Sequence, residues 1–128
     1  MSKSIVNSDK APLPIGPYNQ ANLANGTLYI SGQVALDPVE KKIIAADIAE
    51  ETNIVLTNIG AILEAAGMTY RNVVKCTVFV MDIGNFGKIN AEYSRYFDPE
   101  WAPARELVEV SKLPAGANIE ISAIAVQD

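Results

Sequence analysis

Val73-Val74-Lys75-Cys76-Thr77-Val78-Phe79-Val80-Met81 reads as a β-strand, rich in β-branched residues and bounded by polar ones. Successive side chains of a strand point to opposite faces. Val74, Cys76, Val78 and Val80 therefore share one face, and Val73, Lys75, Thr77, Phe79 and Met81 share the other. Both faces are largely apolar, so both are expected to be covered. One layer of helices covers one face. A neighbouring subunit is the economical cover for the second.

The flanking segments supply the helices. Asp47 to Ala66 carries Ile48, Val55, Ile59, Ile62 and Ala66 at helical spacing, with Leu56 and Leu63 widening the stripe. Asp47 followed by Glu50 resembles a capping box, and Gly67 is placed for a left-handed C′ residue. Gly60 inside this helix should cost about 1 kcal/mol relative to alanine, and close packing against the sheet would account for it. Asn85 to Phe97 is predicted as a second helix burying Phe86, Ile89, Tyr93 and Tyr96/Phe97, and Asp98-Pro99 stops it.

Strands occupy both ends. Pro12, Pro14, Gly16 and Pro17 mark an irregular loop. Asn19–Ala24 and Thr27–Gln33 then flank Asn25-Gly26, a strong hairpin signal. Arg105–Val110 and Asn118–Val126 read as the last two strands, turned by Leu113-Pro114-Ala115-Gly116. The order ββαβαββ predicts an α+β fold with helices packed on one face of a sheet.

The chain has 128 residues and reads as one domain, 1–128. Its single cysteine, Cys76, excludes an intrachain disulfide, and the absence of histidine excludes Ser-His-Asp and Cys-His nucleophiles and imidazole zinc sites. Ten Lys+Arg against fifteen Asp+Glu give a net charge of −5. That balance disfavours phosphate neutralisation, so nucleic acid is not the expected partner. No apolar run approaches the ~20 residues of a membrane span. Met1 to Lys10 has no apolar stretch after its lysines, so it is not read as a secretory leader, and the expected location is the cytoplasm.

A few polar residues stand out. Glu120 lies in the otherwise nearly apolar strand Ile119-Glu120-Ile121-Ser122-Ala123-Ile124-Ala125-Val126. A carboxylate there is either solvated or partnered. Arg105 follows Ala102-Pro103-Ala104, so its backbone is held, and a fixed guanidinium suits bidentate capture of a carboxylate. The ordinary alternative is an ion pair with Glu106 or Glu92. Asn90 lies off the centre of the second helix's apolar stripe, where water is the usual neighbour. Tyr18 follows Gly16-Pro17 and serves equally as a core plug. Ser31-Gly32 permits close backbone approach by a ligand or marks a plain bulge. Cys76 alternates with valines and reads as inert core.

Together these segments resemble the RidA (YjgF/L-PSP) family. The resemblance rests on Ile15-Gly16-Pro17-Tyr18-Asn19-Gln20-Ala21, Ile30-Ser31-Gly32-Gln33, Asn72 to Val80, Phe86-Gly87-Lys88-Ile89-Asn90, Pro103-Ala104-Arg105 and Glu120 to Ala125. It implies a chorismate-mutase-like (YjgF-like) sheet with two helices on one face, assembled as a homotrimer around a central barrel. It also implies active sites in clefts between subunits, and hydrolysis of 2-imino (enamine) acids such as 2-iminobutanoate and 2-iminopropanoate to 2-keto acids and ammonium. On that resemblance Arg105 clamps the substrate carboxylate and Glu120 holds a water for attack on the imine carbon. Tyr18 and Asn90 order the pocket, Ser31, Gly32 and Phe86 line it, and the backbone at Leu107 contacts substrate or water. No metal or organic cofactor is implied.

Leu107 departs from the Cys or Thr common at its position, Glu106 from a small residue, and Asn19 from Ser. Glu106 should point to the opposite face of the strand from Arg105. These departures keep open a ligand-binding regulatory trimer without turnover. A third reading, an endoribonuclease or translation inhibitor, is disfavoured by the acidic balance and the missing histidine.

Overall fold

The computed structural model describes residues 2–128; Met1, in the segment read for a leader, lies outside them. Six strands form one sheet in the order β1-β2-β3-β6-β4-β5. The strands are β1 (Ser4–Val6), β2 (Ala21–Ala24), β3 (Thr27–Gln33), β4 (Val73–Val80), β5 (Ala104–Glu109) and β6 (Ile119–Val126). Helix α1 (Ile48–Ala65) joins β3 to β4, and α2 (Phe86–Tyr93) joins β4 to β5. All pairs are antiparallel except β4–β5, whose parallel register needs the crossover that α2 provides. The expected α+β sheet with two helices is present, with β1 in addition. At three residues, β1 is too short to show periodicity in sequence.

Local chemistry explains the elements. Asn25 and Gly26 have φ of 51° and 78°, the left-handed pair that turns β2 into β3. Asp47 caps α1 by accepting from the Glu50 N–H at 2.8 Å. Gly67, with φ of 73°, ends the helix, and the Met68 N–H reaches back to the Leu63 carbonyl. Helix α2 stops at Tyr93, a turn before the predicted Phe97. There the Ser94 hydroxyl bonds the Ala91 carbonyl, and the Arg95 and Tyr96 N–H groups tighten to i→i−3 bonds.

The core lies between the helices and one face of the sheet. Val55, Leu56, Ile59, Ile62 and Leu63 of α1 bury against Leu28 and Ile30 of β3, Cys76, Val78 and Val80 of β4, and Ile119, Ile121, Ala123 and Ala125 of β6. The buried Glu51 carboxylate ties α1 to the start of β6, accepting from the Asn118 N–H at 2.7 Å, the Asn118 amide at 2.9 Å and the Ile119 N–H at 3.3 Å. The other face of the sheet carries Tyr29, Ile124 and Lys75 in one row and Glu120, Phe79 and Val108 in another. The described residues leave it largely uncovered: Tyr29 is 52% exposed and Val108 42%.

Two expectations need correction. The face assignment in β4 holds from Lys75 onward but reverses at its start, where Val73 is buried and Val74 is exposed. A register shift against β6 between Val73 and Lys75 resets the alternation. Gly60 makes its close approach to Tyr70, not to the sheet. The Tyr70 hydroxyl donates to the Leu56 carbonyl at 2.7 Å, and its ring is flanked by Tyr96 and Phe97 at 5.2 and 5.7 Å. A Cβ at Gly60 would overlap that hydroxyl.

Glycine-to-alanine in a helix interior ordinarily stabilises by about 1 kcal/mol. Gly60→Ala is expected to do the reverse, lowering unfolding stability by about 1–3 kcal/mol, because the Tyr70 ring cannot shift without repacking its neighbours. Urea unfolding at matched protein concentration measures the sign.

Candidate active site

The candidate residues fall into two groups. The first sits where α2 meets the edge strand β5. Arg105 pairs in register with Cys76, so its side chain leaves on the helix-bearing face. Phe86, Asn90 and Tyr93 lie at i, i+4 and i+7 on α2 and share one side of that helix. The Arg105 guanidinium carbon stands 4.7 Å from the Tyr93 ring centroid and 5.9 Å from that of Phe86. Leu107, two residues on and half-buried against the core, faces the same way.

Both acids that could have paired with Arg105 are engaged elsewhere. Glu106 points to the opposite face, accepting from the Thr77 hydroxyl at 2.5 Å and pairing with Lys75 at 2.9 Å. Those contacts hold its carboxyl below the usual range, the Thr77 bond most. Glu92 pairs with Arg95 at 2.6 Å. Among the described residues no ion pair includes Arg105. Its cation lies over aromatic rings, and no described carboxylate neutralises it.

The second group surrounds Glu120 on the open face of the sheet. Glu120 pairs in register with Phe79 and makes no hydrogen bond within the chain among those described. A Cβ at Gly32 would stand 2.5 Å from Glu120 Oε2, so glycine there makes room for the carboxylate. Gly32 lies in a bulge of β3 between Ile30 and Gln33. Partial burial without a partner pushes the Glu120 carboxyl above its ordinary value.

The loop carrying Tyr18 is anchored by Gln20, which is 1% exposed. Its side chain accepts from the Ser8 N–H at 2.7 Å and donates to the carbonyls of Ser8, Ala11 and Pro12 at 3.1, 3.3 and 2.9 Å. Ser31 completes the anchor, its hydroxyl donating to the Asn19 carbonyl at 2.7 Å. Ser31 is thus engaged in holding the loop. Tyr18, half-exposed, lines a small cleft with Pro12, Ile15, Gln20 and Gly32.

Within one chain Tyr18, Ser31, Gly32 and Glu120 come together, and so do Phe86, Asn90, Arg105 and Leu107. The two groups lie on opposite faces of the sheet and do not meet.

The sequence pattern of the family described as Endoribonuclease L-PSP matches residues 8–127. The chain belongs to that family. A 2-iminobutanoate/2-iminopropanoate deaminase of Bos taurus is 47% identical over 125 residues, covering 98% of this chain and 90% of the relative. A RutC family protein of Synechocystis is 46% identical over 127 residues, covering 98% of each chain. A crystal structure of a Rid family protein from Yersinia pestis superposes with a TM-score of 0.92 at 44% identity, covering 98% of this chain and 99% of that one.

In this L-PSP chain two residues beyond those the sequence singles out support the candidate site. Tyr93, expected as core filling, is buried, yet its ring also lies against the Arg105 cation. Its spacing from Phe86 and Asn90 was the available signal. Gln20 lies in the Ile15–Ala21 segment of the resemblance, but nothing local distinguishes a buried glutamine from an exposed one. Cys76 is the inert core thiol expected, its pKa raised by burial. No cluster of three His, Cys, Asp or Glu side chains suited to a metal ion occurs among the described residues. Nor is any described helix long and apolar enough to cross a membrane.

A carboxyl whose pKa is raised on folding binds more protons folded than unfolded between the two values. Stability therefore falls as pH rises from the ordinary glutamate value through the folded one. Glu120→Gln is expected to be more thermally stable than wild type at pH 7, the gap closing below about pH 4. Melting scans of both proteins across that range measure it; equal stability at all pH would remove the desolvated carboxyl.

Proposed function

We propose that the protein is a reactive-intermediate deaminase, hydrolysing small 2-imino acids to 2-keto acids and ammonium. The observation that carries the reading is the unpaired, ring-stacked Arg105. A guanidinium held over rings and paired with no described carboxylate suits bidentate capture of a carboxylate, which every 2-imino acid carries. The relatives named for this deaminase activity support the substrate class.

On this reading the two residue groups meet across a second copy of the chain. A homotrimer in which one subunit's open sheet face approaches its neighbour's α2–β5 edge would set Glu120 and Tyr18 of one across from Arg105 and Asn90 of the next. It would also cover Tyr29, Phe79 and Val108. The central barrel implied by the resemblance is such an arrangement.

Chemically, a protonated imine is already electrophilic, so the enzyme mainly orients it and supplies water. Arg105 fixes the carboxylate. The Asn90 amide and the Tyr18 hydroxyl orient the C=N group. Glu120, with a raised pKa and no internal partner, accepts a hydrogen bond from the attacking water and takes its proton. The water oxygen bonds to the imine carbon, giving a carbinolamine. Protonated Glu120 returns its proton to the carbinolamine nitrogen, and the C–N bond breaks to release ammonia. The hydroxyl gives its proton to the Glu120 carboxylate as the C–O bond becomes the 2-keto group. Ammonia takes that proton and departs as ammonium. Leu107 adds an apolar wall suited to a short alkyl side chain. No histidine, metal or organic cofactor enters these steps, and the reading places the enzyme in the cytoplasm.

Leu107 also favours a second reading, a regulatory trimer that binds keto or amino acids without turnover, since an alkyl group there cannot help order water. RNA is a poor fit to a chain of net charge −5.

A coupled assay tests the choice. A threonine dehydratase generates 2-iminobutanoate in buffer containing semicarbazide, and the protein is titrated in. Wild type is expected to suppress semicarbazone formation, and Arg105→Ala to lose at least about a hundredfold in kcat/KM, as for removal of a charge-assisted bidentate contact. Glu120→Gln should bind 2-oxobutanoate and lose turnover. Binding without suppression by wild type would establish the regulatory reading.

A further inference from the structure

We propose that Tyr93 is a positioning residue for substrate binding, its ring face holding the Arg105 guanidinium in the orientation that receives a carboxylate. The proposal rests on the deaminase reading of the same site and deepens it. An arginine side chain has several freely rotating bonds, and a clamp that must first be ordered binds weakly. Usually a carboxylate orders it. Among the described residues none does so at Arg105, and Glu106 and Glu92 are engaged with Lys75 and Arg95.

Two rings remain, and they are not equivalent. Phe86 opens α2 and is 48% exposed, so few neighbours fix its ring. Tyr93 is 8% exposed, with Phe97 packed against it at 4.7 Å, and it is the nearer of the two to the guanidinium. The guanidinium carbon lies over the Tyr93 ring, and no guanidinium N–H of Arg105 makes a hydrogen bond or ion pair among the described residues. Ring and substrate therefore use different parts of one group.

The hydroxyl argues the same way. It is buried without a hydrogen-bond partner, and its polar neighbour is the Cys76 thiol, a weak acceptor. A buried hydroxyl with no good partner is a cost, so the working part of Tyr93 is its ring.

The experiment compares Tyr93→Phe, which keeps the ring, with Tyr93→Met, which keeps bulk and apolarity but has no π-face. Each is assayed for 2-iminobutanoate hydrolysis and for 2-oxobutanoate affinity by calorimetry. Tyr93→Phe is expected to stay within about twofold of wild type. Tyr93→Met should raise KM and the 2-oxobutanoate Kd about tenfold, with kcat within about threefold, since a clamp acts in ground and transition states alike. In an Arg105→Ala background, Tyr93→Met should change affinity less than about twofold.

An unchanged KM in Tyr93→Met, a fall in kcat alone, equal damage in Tyr93→Phe, or a multiplicative loss beside Arg105→Ala would each overturn the proposal. If Tyr93→Met does not fold, the Arg105 Nε–H resonance of wild type decides: an upfield ring-current shift supports stacking, and its absence overturns it. Wild type that binds 2-oxobutanoate through Arg105 without turnover would remove the deaminase reading, and the affinity ratio of Tyr93→Met would still decide the role of Tyr93. Wild type that neither binds nor turns over overturns both.

Discussion

Burial of Ile119, Ile121, Ala123 and Ala125 beneath α1 sets the parity of β6, and that parity organises the rest of the molecule. A strand has only two faces, so once these residues point to the helices, Glu120, Ser122 and Ile124 must point away. Slipping the strand by one residue would put a carboxylate in the core. The buried Glu51 carboxylate opposes that slip, because its three N–H partners belong to Asn118 and Ile119, where β6 begins. β6 also pairs with both β3 and β4, so its register carries to the hairpin on one side and to β4 and β5 on the other.

The same constraint separates the candidate site into halves. Arg105 leaves the sheet on the helix side, and Glu120 leaves on the open side. The open side leaves Tyr29 and Val108 exposed and Phe79 and Ile124 only partly covered by the described residues, an apolar cost that a second copy can remove. Under the proposed function, one assembly step would bury that surface and complete the chemistry. Glu120 already shows the tension: its desolvation raises the pKa that suits proton transfer, at the expense of stability near neutral pH.

Much of the fold was legible because it depends on local rules. Asp47 as cap, Asn25-Gly26 as turn and Gly67 as terminator each act within a few residues, and each stands where the sequence indicated. Strand β1 was missed because three residues show no period. The reversal at Val73-Val74 was missed because a bulge is a property of two strands together. The overlong second helix followed from Tyr96 and Phe97, whose apolarity continues a helical stripe although the backbone there has tightened into turns.

The α+β class, the helix-facing stripes and the lack of histidine chemistry follow from residue type and short-range spacing, and the family from the resemblance of whole segments. What each polar side chain meets came from the packed fold. Glu106 and Glu92 turned from possible partners of Arg105 into partners of Lys75 and Arg95, Gly60 answered to Tyr70, and Tyr93 became a support for the cation. Such pairings depend on which strands and helices become neighbours in space, and that is set by the burial of the whole core rather than by any one segment.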